Sequence, residues 1–389
     1  MLNDYMGVIY VETSFDNIRA LTKIRPLASV PVGGSYRVID FALSNLVNAG
    51  IRNVGIFGGM EDLTSLMDHL GKGAEWDLNR KKDGIFIFEG MLDTSFSGNV
   101  KRIKKNMEYF VRSKQKNVIM MSSHMVCNID IRDVIRKHEE SKKEVTAVYK
   151  KVDNANEKFD NCDCIRIDKN GEVDNIGKNL FFRKEENISL EIFILSKELL
   201  LKFIFEGIQD GSYYTGRDLI SKNLSKISIN PYEFKGYLSC INSTKEYFDF
   251  NMDLLNKSTR DDIFNKEGRL IYTKVKDTPP TLYKDGADVK NTLVSNGCIL
   301  AGKVRNSILA RGAVIEKGAT VEDCIILQAS TIQSGAVLRN IIVDKNNVIK
   351  SNERLSASKN YPLVIEKDIK WDKDYYYNFV DELGKYDDD

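Results

Sequence analysis

From about residue 289 one spacing governs the chain. Ala313, Ala319, Ile325, Thr331, Val337, Val343 and Ile349 fall six apart, and Ile308, Val314, Thr320, Ile326, Ile332 and Leu338 keep the same period. These positions are mostly small or β-branched. A period of six marks the hexapeptide left-handed parallel β-helix, in which each triangular coil takes three units. Gly312, Gly318 and Gly335 suit its corners. Stacked coils leave open ends and flat faces, so such a domain is expected to pack against another subunit.

The preceding residues follow other rules, and they are organised around residues 32–57. Gly33-Gly34 make a tight turn, and Val38, Phe41, Ala42, Asn45, Leu46 and Ala49 then recur at helical spacing up to a capping Gly50. Asn53–Phe57 has the length of a buried parallel strand. Gly7–Val11, Gly84–Phe88, Asn117–Met121, Val145–Tyr149 and Ile192–Leu195 read as further strands. Helices are expected over Glu61–Leu70, residues 98–115, Ile131–Ser141, from Ser196, and over Lys245–Leu255. Asn170-Gly171 joins Cys164–Asp168 to Glu172–Ile176 as a hairpin, and Trp76 anchors the loop before Leu78. The alternation predicts a parallel α/β sheet covered on both faces, a fold that binds nucleotides at the carboxyl ends of its strands. The domains expected are residues 1–256 for the α/β domain, 257–288 for a linker arm with Pro279-Pro280, 289–365 for the β-helix, and 366–389 for a tyrosine-rich tail.

Charge excludes several functions. Lys+Arg numbers 57 and Asp+Glu 56, a net of +1, so neither nucleic acid nor an anionic membrane is asked for. Lys101-Arg102 and Lys104-Lys105 alternate with Val100, Ile103, Met107 and Phe110, the pattern of a solvated helix face. No apolar run is long enough for a membrane span, and no charged-then-apolar leader is evident. The six Cys are scattered; Cys162-x-Cys164 lacks the second pair that a zinc site needs. A reducing cytoplasm is the expected location.

The order of sheet domain, Pro-Pro arm and six-residue repeat resembles the bacterial glucose-1-phosphate adenylyltransferase (ADP-glucose pyrophosphorylase) family over nearly the whole chain. Arg25–Asn45 looks like the stretch that follows that family's nucleotide loop. Asn48–Arg52, Trp76–Leu78, Gly236-Tyr237, Asn251–Leu255, Ile271-Tyr272 and Pro279-Pro280 continue the match in order. The resemblance implies a Rossmann-like (GT-A-like) nucleotidyltransferase domain followed by the β-helix.

Departures from the family's pattern carry the functional expectation. Active members follow the first strand with a glycine-rich loop whose backbone N–H groups wrap a triphosphate. The matching positions here are Glu12, Thr13, Phe15 and Asn17, and a phosphate-holding Lys matches Leu27. Two Asp residues hold Mg²⁺ in active members; by register they are His124 and Cys240. Lys178 matches a sugar-phosphate lysine, but the neighbouring Glu is replaced by Gly177. Lys23, Arg25 and Arg37 lie in a region where basic residues of active members bind anionic ligands, Arg25 and Arg37 matching by register, with Arg305, Arg311 and Arg339 as candidates from the β-helix. Bland roles compete with each of these. A lone His at a strand end is more often structural, a Cys more often a small buried hydrophobe, and Asp40 and Asn45 hold a helix to a loop.

The pattern is similar to the non-catalytic, GlgD-type regulatory branch of that family. The resemblance then implies a heterotetramer with a catalytic glucose-1-phosphate adenylyltransferase subunit, Mg²⁺ for that partner and no cofactor for this chain. Self-association and an anionic effector are further expectations. Two alternatives stand beside it: an active sugar-1-phosphate nucleotidyltransferase with a divergent site, and an acyltransferase built on the β-helix. The latter usually wants a His at the coils, and none follows His138.

Overall fold

The computed structural model describes residues 2–11, 15–58, 63–88, 100–209 and 218–367. Glu12, Thr13, the start of the helix expected from Glu61, and the tail from residue 368 lie outside them. The chain forms two units. One comprises the residues up to Val32, Tyr36–Phe250 and Asn256–Val275; the other Gly33–Ser35, Asn251–Leu255 and the chain from Lys276.

The first unit is built on a nine-stranded sheet. Its strands are β1 (Tyr5–Tyr10), β2 (Asn53–Phe57), β3 (Gly84–Phe88), β4 (Asn117–Ser122), β5 (Val145–Val152), β6 (Asp163–Ile167), β7 (Val173–Lys178), β8 (Glu186–Ser196) and β9 (Ile229–Glu233). β1 lies between β2 and β4, parallel to both, with Tyr10 opposite Phe57 on one side and Ser122 on the other. Every residue of β1 is buried, as a strand covered on both faces must be. Tyr5 and Ile9 face the core that includes Ile39, Leu43 and Leu46 of helix α1 (Ile39–Asn48). Met6, Val8 and Tyr10 face Phe57, Phe110 and Phe203 on the other side.

The sheet is mixed, where the sequence suggested a parallel one. β8 runs antiparallel to β4, β5 and β6. A hairpin turns β7 back against β6, and β8, on the other side of β6, runs in the same direction as β7. The Asn170-Gly171 hairpin forms between β6 and β7. The stretch 257–288 is not one free arm. Lys257–Phe264 is a helix with Ile263 fully buried, and Asn128 Nδ2 donates to the carbonyls of Ile263 (2.7 Å) and Arg269 (2.8 Å). Chain up to Val275 thereby counts with the first unit. Among the described residues no helix is long and apolar enough to cross a membrane.

The second unit stacks short strands into three five-stranded parallel sheets, a left-handed β-helix. Val314 pairs with Thr331 and Thr331 with Val348; Thr320 pairs with Val337 and Val337 with Arg354. These registers advance 17 residues per coil, one fewer than three strict hexapeptides. Ile325 follows Thr320 by only five, because the corner between them turns on a single left-handed residue, Asp323 at φ 50°. Asn306 and Asn340 turn the same corner in the neighbouring coils, at φ 46° and 54°. Gly312, Gly318 and Gly335 do sit at corners, with φ of 70°, 82° and 76°.

Ala329 occupies a corner at φ 56° and is exposed, so its methyl group gains no packing in return for the conformation. A left-handed backbone costs a non-glycine residue roughly 1–2 kcal/mol. Ala329→Gly is therefore expected to raise unfolding stability by up to about 1 kcal/mol after the extra unfolded-state entropy is subtracted. Urea denaturation of the two proteins measures it, and a lower stability of the variant would contradict the corner assignment.

Candidate functional site

The carboxyl ends of β1 and β4 meet where doubly wound sheets present ligands. Beyond β4 the chain runs through Ser123 and His124 into Met125–Val126, which pairs antiparallel with Ser239–Cys240. Ile241 N donates to His124 O at 2.9 Å. Two of the residues singled out from the sequence, His124 and Cys240, are thus brought to one place, and both are buried. Phe15 joins them, its ring edge-on to the imidazole with centroids 5.2 Å apart. Cys240 contacts the thiol of Cys162, and burial pushes the Cys240 thiol well above its ordinary range. A thiol so held is a poor nucleophile and a poor ligand.

Glu191, unassigned from the sequence, also belongs to this cluster. β8 carries it into the interior at 0% exposure, in a left-handed conformation (φ 52°) where its pairing with β5 bulges between Ser189 and Phe193. Ser189 Oγ accepts its N–H at 3.0 Å. The Tyr10 hydroxyl is 3.2 Å from both Glu191 Oε2 and Glu191 O. His124 Nε2 lies 3.7 Å from Glu191 Oε1. The signal available was one acid inside the apolar run Ile188–Leu195. Ser122 and Ser123 also bring buried hydroxyls to this strand end, with no hydrogen-bond partner among the described residues.

The other candidates are placed elsewhere or otherwise engaged. Leu27 is fully buried core in a short turn, Leu27–Ser29. Asn17 is exposed, and its carbonyl accepts from Thr244 Oγ1 at 3.0 Å. Lys178 ends β7 with its ammonium 2.5 Å from Asp163 and 3.2 Å from Asn161 O. It lines a cleft of about 490 Å³ whose other cations are also paired, Lys151 with Glu185, Arg166 with Asp174 and Arg183 with Glu186.

Lys23, Arg25 and Arg37 do not form an exposed basic cluster. Only Lys23 is exposed. Buried Arg25 donates from Nε to Leu21 O at 3.0 Å, and Arg37 Nη1 donates to Ser65 O and Oγ at 2.7 and 3.0 Å. Guanidiniums need many acceptors, and carbonyls of their own fold supply them here. Asp40 accepts the Arg37 N–H (2.9 Å) and faces His69 Nε2 (2.5 Å), while Asn45 bonds Cys127 O and the Ile129 N–H. Both hold α1 in place. Arg305 and Arg339 pair with Asp288 and Glu322 of the adjacent coils.

Two family models match the chain: one described as Nucleotidyl transferase over residues 16–178, and one described as GlmU-like, C-terminal hexapeptide over 281–360. Glycogen biosynthesis protein GlgD of Bacillus subtilis (strain 168) is 36% identical over 323 residues, covering 82% of this chain and 83% of the relative. GlgD of Geobacillus stearothermophilus is 36% identical over 326 residues, 82% and 84%. Glucose-1-phosphate adenylyltransferase of the same Bacillus subtilis strain is 28% identical over 311 residues, 78% and 81%. Fold and matches together define a nucleotidyltransferase-type α/β domain joined to a hexapeptide β-helix. Within that class, the chain belongs to the GlgD family of glycogen biosynthesis proteins.

Near the cluster, burial raises the carboxyl of Glu246 from 4.5 to about 7, opposed chiefly by Lys158. A raised acid binds its proton more tightly folded than unfolded, so its contribution is full below pH 4.5 and is lost as pH rises through about 7. Thermal melting of wild type should therefore decline between pH 5 and 7.5 more than that of Glu246→Gln, which keeps the neutral shape. Parallel declines would show that Glu246 is charged in the fold throughout.

Proposed function

We propose that this chain is a non-catalytic regulatory subunit of glucose-1-phosphate adenylyltransferase. It modulates a catalytic partner that makes ADP-glucose from ATP and glucose 1-phosphate for glycogen synthesis in the cytoplasm. The observation that carries the reading is the site at the ends of β1 and β4. Transfer of a nucleotidyl group to a sugar phosphate needs Mg²⁺ to neutralise charge, and Mg²⁺ needs hard oxygen ligands in near-octahedral array. The residues here do not fit that ion. His124 offers an imidazole, Cys240 and Cys162 offer protonated thiols, and the one carboxylate, Glu191, is engaged by Tyr10. Among the described residues no group of three or more His, Cys, Asp and Glu could hold a metal. Leu27 removes a phosphate-binding ammonium, and the ring of Phe15 closes over His124.

With no metal centre among its described residues, the chain acts through its partner's conformational equilibrium. A coupling free energy of about 1–3 kcal/mol across a shared interface changes apparent affinity roughly 5–150-fold. The partner is a catalytic subunit of the same two-domain form, joined in a heterotetramer; Mg²⁺ belongs to that subunit.

Assay of the purified chain with ATP, Mg²⁺ and glucose 1-phosphate should give no turnover. Adding a catalytic subunit should give turnover whose kcat or KM differs from that subunit's alone by severalfold. Turnover by the chain alone at rates near those of the catalytic subunit would contradict the proposal and favour an active nucleotidyltransferase with a divergent site.

A further inference from the structure

Strand β3 ends the sheet, paired only with β2 among the described residues. Its pleat sends Ile85 and Ile87 to the core that holds α1, and Phe86 and Phe88 to the opposite face, against Tyr109 of the helix Val100–Arg112. Tyr109 sits there because β2 leaves it room: a Cβ at Gly55 would stand 2.7 Å from its ring. The Tyr109 hydroxyl donates to Asn53 Oδ1 at 3.0 Å, and Asn53 Nδ2 donates to Gln115 Oε1 at 2.9 Å, a buried polar network that fixes this wall. The helix covers Phe88 but leaves Phe86 40% exposed, and between strand and helix lies a groove of about 590 Å³. Sites that hold small molecules span roughly 300–1,000 Å³.

The charges around this groove are unequally satisfied. Of its acids, Glu108 pairs with Arg112 at 3.3 Å, and Asp83 Oδ1 accepts from Gln115 Nε2 at 3.3 Å. Of its cations, Lys82 and Lys114 are exposed, and their ammonium groups have no hydrogen bond or ion pair among the described residues. The helix end does not occupy them, since Lys197 Nζ donates to the carbonyls of Phe110 (3.0 Å) and Ser113 (2.7 Å). An exposed ring on the wall and two free ammoniums at the rim are complementary to a planar base that carries a phosphate. We propose that this groove binds a nucleoside monophosphate, its base stacked on Phe86 and its phosphate held by Lys82 and Lys114. Lys82 precedes β3 and Lys114 precedes β4, so the phosphate lies toward the amino ends of the strands, away from the cluster of Tyr10, His124 and Glu191. The site needs neither a metal nor a partner subunit.

The test is isothermal titration of the purified full chain, without Mg²⁺, with AMP, adenosine and ribose 5-phosphate. AMP should bind at one site per chain, and adenosine and ribose 5-phosphate each severalfold more weakly. Phe86→Ala should weaken AMP roughly tenfold, the size of one lost base–ring stack, and leave ribose 5-phosphate unchanged. Lys82→Ala combined with Lys114→Ala should weaken AMP roughly tenfold and leave adenosine unchanged. All three side chains are exposed, and wild-type melting temperatures verify that the variants fold. AMP binding that survives both sets of substitutions, or no AMP binding by wild type at millimolar concentration, would overturn the proposal. So would a chain whose self-association in sedimentation, rather than its AMP binding, is lost with Phe86→Ala, because the groove would then be a protein contact. Turnover enters none of these readouts, so the inference fails separately from the regulatory reading.

Discussion

The contact between the Tyr10 hydroxyl and the Glu191 carboxylate closes the centre of the first unit. Strand β1 is buried on both faces, so the direction of each of its side chains is fixed by the alternation of the pleat. That alternation sends Tyr10 to the face shared with Phe57, Phe110 and Phe203, and its hydroxyl finds a buried acceptor on β8. Buried hydroxyls and carboxylates that satisfy each other rigidify a core; half-satisfied, either would destabilise it. His124 completes the arrangement from β4, and the edge-on ring of Phe15 covers it. A fold whose strand ends ordinarily receive an anionic ligand has here filled them with its own side chains.

The same economy of backbone appears in the β-helix. Its interior rows, Leu309–Ile326–Val343 and Ile315–Ile332–Ile349, hold the coils together by apolar packing, while most corners turn on a left-handed residue. Asn and Asp take that conformation more readily than other residues bearing a Cβ, which is why left-handed corners without glycine carry Asn291, Asn306, Asp323, Asn340, Asn346 or Asn352, with Ala329 the exception among the described residues. A single-residue corner shortens the coil to 17 residues without disturbing the inward rows.

Much of this was legible in the sequence where local rules decide. Asn53–Phe57, Gly84–Phe88 and Ile131–Ser141 have the bounds expected, because apolar runs and helical spacing are interrupted there by turn and capping residues. The β-helix was legible from spacing alone, although most of its registers advance 17 residues rather than 18, since either count keeps small and β-branched residues in the rows. The direction of β8 was not legible: composition does not distinguish a parallel from an antiparallel strand, and the order in which strands sit in the sheet is set by tertiary packing. At the site, His124 and Cys240 were found by register, but Glu191 was missed because its burial is set by a bulge and by Tyr10, 181 residues away in the chain. Arg25 and Arg37 read as cations available to a ligand, whereas tertiary packing turns them toward main-chain carbonyls.

On the regulatory function proposed above, side chains at the ends of β1 and β4 leave no room for a magnesium-bound triphosphate. Crystals soaked in ATP and magnesium chloride examine that space directly. Density showing Tyr10, Glu191 and His124 in contact as described here, with no ordered triphosphate beside them, is the result expected. An ordered nucleotide bridged by a metal at the ends of β1 and β4 would contradict it.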